Sequence, residues 1–328
     1  MNLNFIYNKK LTLGLLVIFM LIYPLLVGKS NYFLTLFVIT CIYIITSMSL
    51  NLLIGYGGQI SVGHAGFLSI GGYSVAILST KVGLPFFIIL PLAGVITGLI
   101  GLLIGLPAVR LKGHFLAVAT LGFGLSIPQI ALNWSSLTGG YSGIAVAKPS
   151  LFSSNFQMFY VVVAITILIT WLMYNIVKSR LGRAFIAIRD SEVASQSIGI
   201  NISFYKTVMF VISAFFTGIA GGLYGYWVGF ISPNDFTMVT SFLVLAMIVV
   251  GGLASIPGAV VGAILFSVLP HFTDSYVGIT NMVIGVAVVA IILFKPEGIV
   301  AIFESLKRKK PSDKAEVVQR GEESNVNV

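Results

Sequence analysis

The polar side chains of this 328-residue chain are few, and their spacing excludes most chemistry before it suggests any. Three histidines, His64, His114 and His271, stand far apart, and none belongs to an H-E-x-x-H pattern, so a zinc site of that kind has no ligands. The single cysteine, Cys41, lies in an apolar run. That leaves neither a disulfide framework nor a thiolate metal site, and Cys41 reads as a small buried hydrophobe. "VGKS" at 27–30 resembles the end of a phosphate-binding loop, but the glycine required five places before Gly28 is Tyr23. No cofactor is expected on this chain. If ATP powers it, another chain hydrolyses the ATP.

Two stretches keep polar groups together. In "GYGGQISVGHAGFLS" (55–69), Gln59, Ser61, His64 and Ser69 sit among glycines. Polar groups and bare backbone of this kind must be buried in protein or line a watery path, so the stretch is expected to border a translocation route. For His64 itself the first expectation is a packed, hydrogen-bonded role at a helix start. In "SRLGRAFIAIRDSEVASQSIGIN" (179–201), Arg180, Arg183, Arg189, Asp190 and Glu192 gather in a chain that is only 9% charged. Ala184, Ala187, Ser191, Ala194 and Ile198 recur there at spacings of three and four, which predicts one helix with a narrow small-residue stripe. Gly199 is placed to end it. Such a stripe suits a partner's cleft and equally suits a helix lying on a membrane surface; the residues alone leave both open.

The elements that must position these groups follow from composition. The chain is 57% hydrophobic with a mean hydropathy of +1.03, whereas soluble domains carry about 25% charged residues. Its net charge of +9 would suggest nucleic acid in a soluble protein; in this chain the placement of the charges governs, and no nucleic-acid partner is expected. Apolar runs at 11–28, 32–54, 61–80, 84–106, 114–132, 157–177, 207–230, 238–254, 258–273 and 278–294 predict an all-α, polytopic membrane protein of about ten transmembrane helices. Runs eight and nine are short and meet at "GGLASIPGA" (251–259), so a re-entrant pair is the alternative to two crossings. With the N-terminus inside, alternate crossings leave only Lys29, Lys81 and Lys148 outside and put the other sixteen of nineteen Lys and Arg in the cytoplasm. Both termini are therefore expected inside. Lys9 and Lys10 precede the first run as in a secretory signal, but "LVGKSNYF" lacks a small-x-small cleavage pattern, and the run reads as a retained helix. The expected organisation is a transmembrane unit over 1–302, with a cytoplasmic segment at 178–206, and a polar, disordered tail at 303–328. The tail's basic start would lie near anionic lipid headgroups.

No Asp, Glu, Lys or Arg falls in the middle of any run. This argues against a proton relay, although sodium coupling through hydroxyls and carbonyls stays open. A membrane enzyme is disfavoured because the runs carry no cluster of carboxylate, cysteine or histidine. The G-x-x-x-G pairs Gly94/Gly98, Gly101/Gly105, Gly218/Gly222, Gly221/Gly225, Gly225/Gly229 and Gly258/Gly262 predict close helix packing. The outer segment Asn133–Phe156 is polar and turn-rich, fit either to meet an extracytoplasmic protein or to connect a gate.

Five blocks in order resemble one family: "LNLLIGYGGQISVGHAGFLSIGGY" (50–73), "RLKGHFLAVATLGFG" (110–124), "TGGYSGI" (138–144), "GRAFIAIRDSEVASQSIGIN" (182–201) and "FKPEGI" (294–299). They are similar to the M-type permeases of branched-chain amino-acid ABC importers. A urea-type permease of the same superfamily, or a stand-alone secondary transporter, is the alternative. The resemblance implies a multi-pass protein of a bacterial or archaeal cytoplasmic membrane that pairs with a homologous H-type permease. It also implies two cytoplasmic ATPase subunits, which hold ATP and magnesium, and an extracytoplasmic substrate-binding protein. Carried onto this sequence, Gly182, Arg183, Ala184, Ala187, Arg189, Asp190, Glu192, Ala194 and Gly199 become the element that couples to the ATPase.

Overall fold

The computed structural model describes residues 31–111, 113–149, 152, 154–273, 279–294 and 298–299. An apolar segment in hydrocarbon must satisfy its own backbone, which leaves the helix as the form available to these runs. The chain accordingly folds into α1 (Asn31–Asn51, prolonged by a π-turn at Leu52–Tyr56), α2 (His64–Ile77, prolonged to Val82), α3 (Phe86–Ala108) and α4 (His114–Asn133). A single turn, α5 (Ser135–Thr138), precedes α6 (Asn155–Lys178), α7 (Arg180–Asp190) and α8 (Glu192–Ser197). The long α9 (Ile202–Val228) is followed by α10 (Met238–Gly251), α11 (Ile256–Thr273) and α12 (Ile279–Phe294). Among the described residues, seven helical segments are long and apolar enough to cross a membrane, and Ile256–His271 and Met282–Ile291 add two shorter apolar ones. These answer nine of the ten apolar runs. The first run, 11–28, and the tail, 303–328, lie outside the described residues.

The helix directions alternate as crossing demands, and α9 is the axis. It runs antiparallel to α1, with Trp227 Nε1 on Thr35 Oγ1 at one end and Ser213 Oγ on Ser49 O further along. It runs parallel to α2, and a methyl group added to Gly71 would fall 2.1 Å from Gly218 O. It runs antiparallel to α3, where Gly94 meets Phe215 and Ile219, and Gly105 meets Phe210. The small residues let backbones touch, and that contact is what associates helices in lipid.

Two boundaries differ from the apolar runs, and one open alternative is decided. The run at 61–80 is helical only from His64, because 57–63 crosses as non-helical chain through Gly58, whose φ of +66° favours glycine. The helix expected at 207–230 begins earlier, at Ile202, where the Asn201 side chain accepts from Phe204 N–H. The re-entrant alternative for runs eight and nine does not hold. Asn51 Nδ2 donates to Ser255 O at 2.8 Å, Ser47 Oγ to Ala259 O at 3.0 Å, and Tyr32 OH meets His271 Nδ1 at 2.5 Å. So α11 runs beside α1 from one end to the other and crosses as α1 does.

At the outer end a two-stranded antiparallel ladder joins Ile144–Ala145 to Phe230–Ile231, and Lys81 Nζ donates to Ser136 O at 2.8 Å. The outer segment is thereby tied down as a cap over α2 and α9.

Candidate functional site

At the start of α2 the chain re-enters the bundle as a broken helix. His64 lies beside Ser213, eleven residues into α9, which at 1.5 Å per residue is about 16 Å along that helix. Ser213 donates its hydroxyl to Ser49 O at 2.7 Å, so its oxygen accepts from His64 Nε2–H at 2.8 Å. Ser61 Oγ faces the other ring nitrogen, Nδ1, at 3.4 Å. Around this pair, Ala65 N–H donates to Ser241 Oγ at 3.0 Å and Val62 N–H to Thr120 Oγ1 at 3.1 Å. The exposed backbone of a helix start at this depth is thus satisfied by hydroxyls from α10 and α4. Gln59 Nε2 reaches Met209 Sδ at 3.6 Å, while Gln59 Oε1 and Ser69 Oγ have no partner among the described residues. Gln59, Ser61, His64 and Ser69 are at most 3% exposed, so all four sit inside the chain in this conformation.

The segment at 178–206 departs from the single helix expected over 184–198. It breaks at Ser191, whose backbone is extended at φ −160°, ψ 113°, and whose side chain caps α8 by accepting from Ala194 N–H. A serine hydroxyl competes well for free N–H groups, and capping wins over continuing the helix. The small-residue stripe is split as a result. Ala184 is buried against its own chain, Ala187 is half-buried, and Ala194 is exposed. Gly182 lets α7 turn tightly under α6, since a methyl there would lie 2.0 Å from Val177 O. Gly199, at φ +86°, ends α8.

Of the charges in this element, Arg189 and Glu192 reach the helix bundle, while Arg180, Arg183 and Asp190 are exposed. Arg189 donates through Nη1 to Gly55 O at 2.9 Å and through Nε and Nη2 to Asp190 Oδ1 at 3.0 and 2.9 Å. Lys206, 5% exposed in the first turns of α9, pairs with Glu192 Oε1 at 2.5 Å. Arg183 is exposed and donates to Lys178 O at 3.3 Å. From Gly55 the connection continues inward, because Asn51 Oδ1 accepts from Ala254 N–H at 3.0 Å and Asn51 Nδ2 donates to Ser255 O. The element is therefore strapped to the end of α1, to the α10–α11 joint and to α9. Outward it presents Val193 and Ile198, which are 77% and 75% exposed.

Sequence reading missed Lys206, Asn51, Ser213 and Ser241. For Asn51 the available signal was an amide inside an apolar run, costly in lipid and so bound to have partners. Lys206 carried none, since its partner lies fourteen positions upstream across a chain reversal.

A bundle of apolar helices of crossing length, one of them broken at depth, with a helical pair strapped to one end, is the architecture of a multi-pass membrane protein. The family model for the permease component of branched-chain amino acid transport systems matches residues 32–294, and the chain belongs to that family. It is 31% identical to the high-affinity branched-chain amino acid transport permease LivM of Salmonella typhimurium, over 94% of this chain and 79% of that protein. A probable LivM of Methanocaldococcus jannaschii is 24% identical over 79% of this chain and 90% of its own length. The LivH permease of Salmonella typhimurium is 28% identical over 51% of this chain and 58% of that protein. No solved structure matches the chain.

Proposed function

We propose that this chain is one of two homologous permeases in an ATP-driven importer whose cargo is leucine, isoleucine and valine. The observation that carries the coupling role is the strapped α7–α8 pair. It holds Val193 and Ile198 out into the cytoplasm while Arg189 and Glu192 anchor it to the transmembrane helices. Two ATPase subunits, which hold the ATP and magnesium, dock on that outward face. Their closure pushes α7–α8, and the straps pass the push to the end of α1, the α10–α11 joint and α9. Rigid helices turn such a push into exposure of the route to one side and then the other.

The broken start of α2 borders the cargo route when the bundle opens. Gln59 Oε1 and Ser69 Oγ, without partners among the described residues, then gain partners, and Ser61 and His64 tie the break to α9 through Ser213. The outer cap, with Trp134 and Tyr141 exposed, receives cargo from an extracytoplasmic binding protein. Reconstitution tests this. Labelled leucine should accumulate in proteoliposomes holding both permeases and both ATPases only with ATP on the ATPase side and binding protein on the other. Leucine flux through this chain alone, without ATP, contradicts it.

A further inference from the structure

Among the described residues the carboxylates are Asp190, Glu192 and Asp235. The first two belong to α7–α8, and Asp235 stands at the opposite end of the bundle. It falls between two apolar runs, yet the fold draws it inward. Its neighbour Phe236, 3% exposed, packs between α2 and α9. A methyl added to Gly72 would lie 3.3 Å from the Phe236 ring, whose centroid is 5.5 Å from that of Tyr224. Asp235 therefore sits near the level of Gly72, and α2 continues ten residues further, to Val82, about 15 Å outward. A half-buried carboxylate at such a level is costly unless something neutralises it.

Among the described residues no cation does. Lys81 Nζ donates to Ser136 O, Lys148 Nζ to Asn155 Oδ1, and the ion pairs Arg189–Asp190 and Lys206–Glu192 leave Asp235 out. Asp235 Oδ2 accepts from Ser232 N–H at 2.8 Å and so closes its own turn, while Oδ1 has no hydrogen-bond partner among the described residues. The charge acts on two phenols, Tyr73 of α2 and Tyr224 of α9. Tyr73 is 6% exposed, and its hydroxyl too has no partner among the described residues. A buried hydroxyl without a partner costs stability, and one beside an unneutralised carboxylate marks a place for a cation that would satisfy both.

We infer that Asp235, with the Tyr73 and Tyr224 hydroxyls, binds the α-ammonium of the cargo at the outer end of the bundle. The inference deepens the reading of the cargo as leucine, isoleucine and valine, and rests on it. An alkylammonium has three N–H donors. Asp235 Oδ1 and the two phenol oxygens supply three acceptors, and tyrosine ring faces favour a cation. Sodium is the other occupant that the same chemistry could take.

Asn234, exposed beside Asp235, can report on the site from outside it. Asn234→Cys is placed in the complete importer on a Cys41→Ala background, Cys41 being buried at 1% exposure. Its labelling by a cationic and by an anionic methanethiosulfonate is timed by mass spectrometry of that peptide. Adding Asp235→Asn keeps an acceptor for Ser232 N–H but removes the charge, and the preference for the cationic reagent should fall roughly tenfold. Leucinamide, which has the ammonium without a carboxylate, should slow the cationic reagent. 4-Methylpentanoate, which has the carboxylate without the ammonium, should not, and Asp235→Asn should abolish the protection. Protection by sodium chloride over choline chloride, with none from leucinamide, would assign the site to sodium and overturn the inference. Labelling indifferent to both, in an importer that still accumulates leucine with ATP, would overturn it as well. If the Cys41→Ala parent takes up no leucine with ATP while leucinamide still protects, the ammonium site stands and the cargo reading fails.

Discussion

Neutralising Glu192 isolates the strap between α8 and α9. Lys206 is 5% exposed and its ammonium meets the Glu192 carboxylate at 2.5 Å; the glutamate side chain is 36% exposed. Breaking a fully buried pair from one side costs about 3–5 kcal/mol, and losing an exposed one about 0–1 kcal/mol. With one partner buried and the other a third exposed, Glu192→Gln should cost about 2 kcal/mol. At 1.4 kcal/mol per factor of ten, the seated position of α8 loses roughly thirtyfold in preference over alternatives. Lys206→Met should cost less, because it leaves only the more solvated charge unpaired. The double variant should recover most of the loss, since no unpaired buried charge remains. The assay pairs thermal unfolding of the purified importer with leucine transported per ATP hydrolysed in proteoliposomes. Glu192→Gln should lower both, hydrolysis continuing while uptake falls. Single effects that add to the double within about 0.5 kcal/mol, with an unchanged transport ratio, would show that the pair carries no mechanical load.

Three further outcomes follow from the packing. Gly71→Ala, whose methyl would meet rigid backbone at Gly218 O, should destabilise the purified protein by about 1–3 kcal/mol, whereas Gly122→Ala, in open space, should stay within about 0.5 kcal/mol; thermal unfolding separates them. Ser213→Ala leaves His64 Nε2–H without its acceptor and should cost about 1–3 kcal/mol in the same measurement. Arg189→Gln should leave ATPase subunits bound but reduce uptake per ATP, and Arg189→Lys should restore it only partly, because one ammonium cannot serve Gly55 O and Asp190 in the fixed fork of a guanidinium.

The crossing helices were legible because a bilayer reads length and hydropathy directly. The run at 157–177 became α6 at Asn155–Lys178. The break at Ser191 was not, because the alanine spacing on either side fits one continuous helix and the choice of Ser191 as a cap is made by the three-dimensional path of the chain. Arg189 looked like part of a docking surface, and only the fold brings Gly55, 134 residues away, within reach of its guanidinium. His64 was readable as a packed histidine at a helix start, but its acceptor on α9 was not.

The central claim, that α7–α8 is the contact through which a separate ATPase drives this permease, can be tested by photo-crosslinking in the intact importer. A benzophenone side chain is placed at Val193, at Ile198 or at the buried Ala184, and the products are identified by mass spectrometry. Adducts to an ATPase subunit from Val193 and Ile198, but not from Ala184, are the predicted result. Adducts from Val193 and Ile198 to lipid alone, in a complex that retains its ATPases, would contradict it and make α8 a helix that only lies on the membrane.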